Sequence, residues 1–260
     1  MHRTTRLVTS TVIVLTACAP YAMSRATPRA APLERARQLV VVTTPDWDAT
    51  AGTLRRFVRA DAHAPWRAEG APVPVVVGRS GLAWDPDVDD PPRDAPRKRE
   101  GDGRSPAGAW ALDTAFGFAN ADAARWVRLP YVALTQTTEC VDDVRSTHYN
   151  TVVDRAAVAH VDWTSAERMR EVEEYQLGVV VAYNAAPPRP GLGSCIFLHV
   201  WGGPRSTTAG CTAMDAGELE RLVRWLDPAR SPTLVQLPAR EYERLRASWG
   251  LPPLDAAGAT

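Results

Sequence analysis

The sequence predicts a single, mainly β domain. Runs of β-branched and apolar residues recur along the chain, few segments have helical spacing, and no internal repeat or second composition regime divides it. The 22 prolines and 9 tryptophans also favour strands, loops and aromatic-lined grooves over a helical bundle. With 260 residues, the chain has enough material for a substantial buried core.

The predicted strands are runs in which β-branched and apolar residues dominate or alternate. Residues 37–44 and 179–184 are the clearest, because each contains three consecutive valines. Residues 73–78 form a further strand, and Pro72 and Pro74 favour an edge position for it, because proline donates no hydrogen bond to a neighbouring strand. Further strands are expected at 109–112, 126–135, 196–200 and 233–237.

Three segments have the apolar spacing of an amphipathic helix. Residues 51–60 carry a leucine, a phenylalanine and a valine at this spacing, and residues 165–175 form a charged amphipathic segment. Residues 215–226 place four apolar side chains on one stripe. A short amphipathic tail, 241–260, closes the chain. The helices are thus few and peripheral to the predicted strands.

A long polar stretch separates the early strands from the rest of the chain. Residues 85–99 are rich in Asp, Pro, Arg and Lys without periodicity, and residues 98–108 continue this loop up to the next strand. A loop of this length in a compact domain is either mobile or functional. A second loop, rich in Pro and Gly, is expected at 185–193 and leads into the strand at 196–200.

The overall charge bears on the choice of partners. Lys plus Arg and Asp plus Glu number 30 each, so the chain has no net field that would attract nucleic acid or an anionic membrane surface. The hydrophobic fraction of 45% is that of an ordinary globular protein. We therefore expect no nucleic-acid partner. These properties do not predict the oligomeric state.

The first residues have the features of an export signal, which we place at 1–18. Arg3 and Arg6 form a basic segment before the apolar run 7–15. That run is shorter than the roughly 20 residues of a membrane-spanning helix. A transmembrane anchor is the alternative interpretation.

Residues 15–18, Leu-Thr-Ala-Cys, resemble the lipobox of bacterial lipoproteins, in which the cysteine is lipidated. Several acyl chains on Cys18 would anchor the protein stably to a membrane. Cleavage after Ala17 or Ala19 without lipidation is the alternative. Residues 19–33 would then be a flexible tether, and the protein would be exported to the periplasm or cell envelope.

Export also bears on which cysteines can form disulfides. Apart from Cys18, three cysteines remain, in a compartment that permits disulfides: Cys140, Cys195 and Cys211. The simplest partition joins Cys140 to Cys195 and leaves Cys211 free. Alternatively, all three are reduced, or Cys195 pairs with Cys211, since strand alternation puts Cys195 on the same face as His199.

The most informative stretch is 196–211. It sets His199 at the end of an apolar run, and a loop of small residues then ends in Gly210-Cys211. A thiol is a weak nucleophile until it loses its proton, and imidazole is a common acceptor. Glycine allows backbone N–H groups to approach a developing oxyanion, and a helix starting near Asp215 would favour the thiolate. The pattern predicts acyl transfer with Cys211 as nucleophile and His199 as base.

Two other interpretations use the same residues. In the first, Cys211 is a buried apolar cysteine without a catalytic role. In the second, Cys195, His199 and Cys211 are zinc ligands, although their spacing lacks the paired ligands of a zinc knuckle and no fourth ligand is close in sequence. We expect neither a metal nor another cofactor.

Over 37–238 the chain resembles the L,D-transpeptidases of the YkuD type, which remodel bacterial peptidoglycan. Three segments carry the resemblance: 98–108 (KREGDGRSPAG), 193–199 (GSCIFLH) and 208–214 (TAGCTAM). Ala209 and Ala213 depart from the commonest nucleophile loop and match a branch that reads Thr-x-Gly-Cys. Segments 139–143 and 149–150 also resemble features of that branch.

The resemblance implies one β-sandwich or barrel domain over 34–240 with a few peripheral helices. It implies that Cys211 attacks a peptidoglycan stem peptide at the carbonyl of its third residue, while His199 takes and returns the proton. The N–H groups of Gly210 and Cys211 would hold the oxyanion. An amine would then accept the acyl group. The alternatives are a hydrolase of the same bonds, an L,D-carboxypeptidase or endopeptidase, and a catalytically inactive wall-binding lipoprotein.

The resemblance also implies a substrate groove. We expect Trp201, Arg205 and Thr208 to bind substrate, with a core tryptophan and a solvated arginine as alternatives for the first two. His199 would be oriented either by a backbone carbonyl or by a nearby hydroxyl group. The candidate hydroxyl groups are those of Ser206, Thr207 and Thr208. The charges of loop 98–104 are expected in a solvated turn rather than on the substrate.

Overall fold

A computed structural model of the protein describes residues 33–86, 88, 90–185 and 187–255. These residues belong to one compact unit, Ala31–Thr260. Strands predominate, so the predicted mainly β class is confirmed. In the part of the chain that the structure describes, no helix has the length and apolar character needed to cross a bilayer. The expected signal peptide, including Cys18, and the tether up to residue 32 lie outside the described residues.

The described residues form fourteen strands and two α-helices. The strands are β1 (Gln38–Thr44), β2 (Ala51–Val58), β3 (Arg67–Ala68), β4 (Val73–Val76), β5 (Leu82–Trp84), β6 (Ser105–Gly117), β7 (Tyr131–Ala133), β8 (Thr138–Val141), β9 (Val152–Asp154), β10 (Ala166–Arg168), β11 (Leu177–Val181), β12 (Phe197–Val200), β13 (Thr212–Met214) and β14 (Thr233–Pro238). The helices are α1 (Ala216–Trp225) and α2 (Ala239–Trp249).

The main sheet closes on itself. Its strands follow the order β1-β14-β6-β11-β12-β13-β4-β2, and β2 pairs again with β1. β3 extends the sheet beyond β2, while β5 and β7 both pair with β6. A closed sheet leaves few unpaired strand edges. Of the two architectures that the resemblance implies, the barrel-like one is therefore observed. A second sheet has the order β10-β8-β9.

Two apolar clusters pack against β12. The main core lies on one face, and its members include Leu39, Val41, Leu112, Val179, Leu198, Val200, Leu222, Leu234 and Tyr242. The site cluster lies on the other face and consists of Phe116, Leu134, Cys140, Met169, Tyr175, Cys195, Phe197 and Cys211. Since side chains alternate along a strand, β12 contributes Leu198 and Val200 to the first cluster and Phe197 to the second.

The two helices cover the main core. α1 begins after Asp215, whose carboxylate accepts hydrogen bonds from the first N–H groups of the helix, and it buries Leu219, Leu222 and Val223. The helix predicted at 215–226 is thus confirmed. α2 belongs to the domain as well, because its Tyr242 and Leu245 and the following Leu251 are buried in the main core. The domain therefore extends beyond residue 240.

Two predicted helices are wrong. Residues 51–60 form β2, which is paired with β1 on one side and β4 on the other. Residues 165–175 form β10, followed by 3₁₀ turns at Met169–Glu171 and Glu173–Gln176. Both segments are short and have apolar residues at spacings that fit either state, and pairing with distant strands decides between them.

The predicted strands are largely confirmed, with two corrections. β4 is not an edge strand, because it pairs with β2 along its length and with β13 at Val76. Pro74 is accommodated because its pairing is with β2 alone. The strand expected at 126–135 is reduced to β7, Tyr131–Ala133.

Candidate active site

His199 and Cys211 come together because β12 and β13 are parallel neighbours. His199 lies opposite Ala213 in the strand register, and Cys211 precedes Ala213 by two residues. The three side chains therefore face the same side of the sheet. They line one cavity of about 350 Å³. The two residues that the sequence pattern singles out as nucleophile and base thus share one site.

Cys211 is an unpaired, buried cysteine. Its sulfur accepts a hydrogen bond from the Phe197 N–H (N···S 3.3 Å) and donates one to the Cys195 carbonyl (S···O 3.4 Å). Burial raises the pKa of the Cys211 thiol well above its usual range, and the charge of Glu167 raises it further. The resting sulfur is therefore protonated at neutral pH.

The expectation that a helix N-terminus favours the Cys211 thiolate is wrong. α1 begins only at Ala216, after β13, and its first N–H groups are already bonded to the Asp215 carboxylate. The effect of a helix dipole falls off within the first turn. Burial therefore outweighs any stabilisation of the thiolate from that helix.

His199 is held by a backbone carbonyl. Its Nδ1 lies 2.7 Å from the Val200 carbonyl oxygen. Because a carbonyl only accepts hydrogen bonds, Nδ1 carries the proton and Nε2 keeps its lone pair. Burial lowers the pKa of His199, so the ring is neutral at pH 7. The ring also packs edge-on against Tyr175, with centroids 5.2 Å apart. The orienting acceptor is thus a carbonyl rather than one of the loop hydroxyls.

The loop before Cys211 is held by its own hydrogen bonds. The Thr208 hydroxyl donates to the Cys211 carbonyl (2.6 Å) and accepts from the Gly210 N–H (3.1 Å). A Cβ at Gly210 would lie 3.2 Å from the Arg104 carbonyl, which favours glycine there. Two expectations change. The Gly210 N–H, expected to hold the oxyanion, is occupied, and the Thr208 hydroxyl supports the loop instead of facing substrate unpaired.

Of the other two residues expected to bind substrate, Trp201 lines the cavity and Arg205 does not. Trp201 is half-buried, and its backbone N–H is bonded to the Met214 carbonyl at 2.9 Å. Arg205 is exposed, because the loop after β12 carries it into solvent. The arginine on the cavity wall is Arg79. Of the two expected residues, only Trp201 therefore lies on the cavity wall.

The disulfide joins Cys140 to Cys195, whose Cα atoms are 6.0 Å apart, and leaves Cys211 free. This is the simplest of the partitions that the sequence allows. It also removes Cys195 from the alternative zinc set, since its sulfur is already bonded. Within the described residues, no group of three or more His, Cys, Asp or Glu side chains is placed to hold a metal ion.

All three segments that resemble the YkuD-type enzymes reach this cavity. Lys98 and Gly101 come from the first, His199 from the second, and Thr208 and Cys211 from the third. No protein-family model matches the chain, and no curated protein or solved structure matches it.

Part of the charged loop at 98–104 lies on the cavity wall, so the expected solvated turn is wrong for Lys98 and Glu100, while Arg99 is exposed. Lys98 is buried, and its ammonium group contacts the Asp102 carboxylate at 2.7 Å. Glu100 also lines the cavity and accepts a hydrogen bond from the Ser194 hydroxyl (2.8 Å). The place of Lys98 and Glu100 in the resembling segment was the sequence signal for this role.

Two functional candidates were missed entirely, namely Tyr175 and Glu167. The Tyr175 hydroxyl donates to the Glu167 carboxylate (2.7 Å), and both side chains line the cavity. Burial raises the pKa of Glu167, and the charges of Asp142 and Glu100 add to the shift. No sequence signal was available, because both residues lie in the segment with helical spacing.

The acidic pair at 142–143 divides between two roles. Asp142 lines the cavity, and its Oδ1 is buried without a hydrogen-bond partner among the described residues. Asp143 instead closes a loop, since it accepts hydrogen bonds from the Thr164 N–H (2.9 Å) and the Arg145 N–H (3.0 Å). These bonds lower the pKa of Asp143. Only the first of the two residues belongs to the site.

Proposed function

We propose that this protein is a cysteine-dependent peptidoglycan L,D-transpeptidase. It would form a thioester with a stem peptide and transfer the acyl group to an amine. The observation that carries the proposal is that an unbridged cysteine, Cys211, and a neutral histidine, His199, line the same cavity. The convergence of the three resembling segments on that cavity adds the substrate class.

The reaction begins from a neutral pair, because burial disfavours both the thiolate and the imidazolium. As a substrate carbonyl approaches, the Cys211 S–H leaves the Cys195 carbonyl and gives its proton to Nε2 of His199. As the proton moves, the sulfur attacks the carbonyl carbon of the third stem residue. Proton transfer and attack are thus coupled, so a permanent thiolate is not required.

The tetrahedral intermediate collapses when the amide C–N bond breaks. His199 returns the proton to the departing amine, which leaves as D-alanine, and Cys211 retains the acyl group as a thioester. An incoming amine gives its proton to His199 and takes the acyl group, which regenerates the thiol. Trp201, half-buried on the wall, helps to keep the acceptor in a drier environment than bulk water.

The oxyanion requires a donor that is free when it forms. The Gly210 N–H meets this requirement only if it exchanges the Thr208 hydroxyl for the oxyanion. That exchange gives up one loop hydrogen bond, worth about 1 kcal/mol, against about 3–4 kcal/mol for an oxyanion donor. Because the oxyanion bond is worth more than the loop hydrogen bond, the Gly210 N–H should change partner in the transition state.

Turnover of purified muropeptides tests the proposal. The protein is incubated with tetrapeptide muropeptides, with and without an acceptor amine, and the products are identified by mass. We expect a cross-linked product and a thioester adduct on Cys211. C211S and H199Q should abolish both, while H160Q, which changes an exposed histidine remote in sequence, should be unaffected.

Other products separate the alternatives. Release of D-alanine without a cross-link would identify a hydrolase of the same bonds. Binding to peptidoglycan without any chemistry would leave a wall-binding protein. A product that persists in C211S would contradict the mechanism.

We further propose that the protein is exported and anchored through Cys18. The disulfide Cys140–Cys195 is compatible with an oxidising compartment. Metabolic labelling with a fatty acid tests the anchor. The full chain should incorporate the label and sediment with membranes, and C18A should do neither. A labelled C18A variant would contradict the assignment.

A further inference from the structure

Two hydrogen bonds of the Cys211 sulfur go to one short stretch of backbone. The Cys195 carbonyl accepts its S–H, and the Phe197 N–H donates to the sulfur. The position of the nucleophile therefore depends on how the backbone from Cys195 to Phe197 is held.

Cys195 has a conformation that it would not hold unaided. Its φ is +54°, in the left-handed region that disfavours residues with a Cβ. Two interactions hold Cys195 in this conformation. Its sulfur is bonded to Cys140 of β8, and its N–H donates to the Asn150 side-chain oxygen at 2.9 Å. Strained backbone of this kind persists only where the surroundings over-determine it.

Asn150 is itself fixed on all sides. Its side-chain amide donates to the Tyr183 carbonyl (2.9 Å) and the Asn184 carbonyl (2.8 Å). Its own N–H donates to the Val141 carbonyl (2.7 Å). Its φ of +58° lies in the left-handed region, which asparagine adopts more readily than most residues do. It is therefore a rigid support for Cys195.

The neighbouring residues strengthen the same support. The Tyr149 hydroxyl accepts a hydrogen bond from the Gly193 N–H (3.2 Å) and donates to the Glu100 carboxylate. The Ser194 hydroxyl donates to the same carboxylate. Residues 193 and 195 are thus bonded directly to the segment 140–150, and residue 194 is linked to it through Glu100.

We propose that Asn150 and Cys140 are positioning residues for the Cys211 nucleophile. Through Cys195 they hold the backbone groups that keep the sulfur buried and aligned on the wall that it shares with His199. The consequence for turnover rests on the proposed function, whereas the consequence for the thiol itself does not.

A loosened support should affect the sulfur in two opposite ways. If Cys195 relaxes to negative φ, its carbonyl moves and the sulfur becomes more accessible to water. The raised pKa of the thiol then falls, because burial is its main cause. Simple alkylation should become faster. Turnover should become slower, because the sulfur is no longer aligned for attack.

Two variants test whether alkylation and turnover change in opposite directions. N150G removes the side-chain bonds and keeps the left-handed φ accessible, and C140S/C195S removes the bridge with little change in size. S231G is the matched control, because Ser231 also has a left-handed φ (+46°) but lies in the turn before β14. Iodoacetamide labelling of Cys211 is followed from about pH 6 to 10 by peptide mass, alongside muropeptide turnover and thermal unfolding.

We expect labelling at neutral pH to be about tenfold faster in N150G and C140S/C195S, which corresponds to about one unit in the thiol pKa. Turnover should fall by about 100-fold. S231G should match the wild type in both. The titratable side chains that share the cavity with the sulfur and act on it, Lys98, Glu167 and Tyr175, are unchanged in all variants, as is His199 on the cavity wall.

Wild-type labelling in a folded N150G or C140S/C195S would overturn the proposal, as would a loss of labelling and turnover together. If N150G does not fold, the C140S/C195S variant tests the proposal by the same comparison of faster labelling with slower turnover. Labelling needs no peptidoglycan substrate. A wild type that fails to turn over muropeptides therefore refutes the proposed function while the labelling profiles still decide the positioning role.

Discussion

The main core and the site cluster are built on opposite faces of the same strand, and their chemistry differs. On β12, Leu198 and Val200 pack into a core whose members are almost all apolar. Phe197 packs into a cluster that also holds the three cysteines of the described residues. His199 lies on the same face as Phe197 and lines the cavity.

The main core therefore contributes mainly to stability, whereas the site cluster controls the reactivity of the thiol. Apolar side chains of the main core contribute mainly through area removed from water, about 25 cal/mol per Å². The site cluster instead keeps a thiol, a tyrosine hydroxyl and nearby carboxylates at low solvation, which raises the pKa values of Cys211 and Glu167. Substitutions on the two faces should therefore have different consequences.

The largest expected effect is loss of turnover in C211A. Removing the nucleophile should reduce kcat by about 10⁴-fold or more, because only binding and oxyanion donors remain. The free energy of unfolding should change little, since alanine fills most of the same apolar space. Turnover and denaturant unfolding measured on one preparation check this. A variant that loses stability in parallel would break the proposed separation.

The converse substitution, L198A, is the next largest effect. It truncates a fully buried leucine of the main core one residue from His199, and should destabilise the fold by about 2–5 kcal/mol. Turnover per folded molecule should stay within a few-fold of the wild type. V144A is the control, because Val144 is 42% exposed and its truncation should cost less than about 0.5 kcal/mol.

A smaller effect is expected from E167Q. The Glu167 charge raises the pKa of the Cys211 thiol, so its removal should shift the labelling profile of the thiol to lower pH. Labelling at neutral pH should become faster, by less than about tenfold. E171Q is the control, because Glu171 belongs to the same segment but is exposed. Equal profiles for the two variants would show that Glu167 does not act on the sulfur.

The smallest effect concerns stability at high pH. The pKa of Cys211 is raised above the 9.0 of an unperturbed thiol, so the folded state holds this proton more tightly than the unfolded state. That stabilisation is present below pH 9 and is lost as pH rises further. Between pH 8 and 10, the wild type should lose more free energy of unfolding than C211A. Parallel pH curves would contradict the assigned burial effect.

Strand positions were the easiest feature to predict. The valine-rich runs of β1 and β11 carry their own signal, because β-branched side chains favour the extended backbone. The segment at 51–60 shows the limit of this approach. Its apolar residues fit a helix locally, but β1 and β4 both offer it unpaired backbone groups, and their pairing makes it β2.

By itself, the sequence determined the mainly β class, the two residues of the candidate nucleophile–base pair and the simplest cysteine partition. Each depends on residue type and short-range order, which the chain displays directly. Only the tertiary structure decided that Lys98, Glu100, Glu167 and Tyr175 line the same cavity as Cys211 and that burial keeps the thiol protonated. Solvation and long-range contacts arise when distant segments pack together, so no local pattern encodes them.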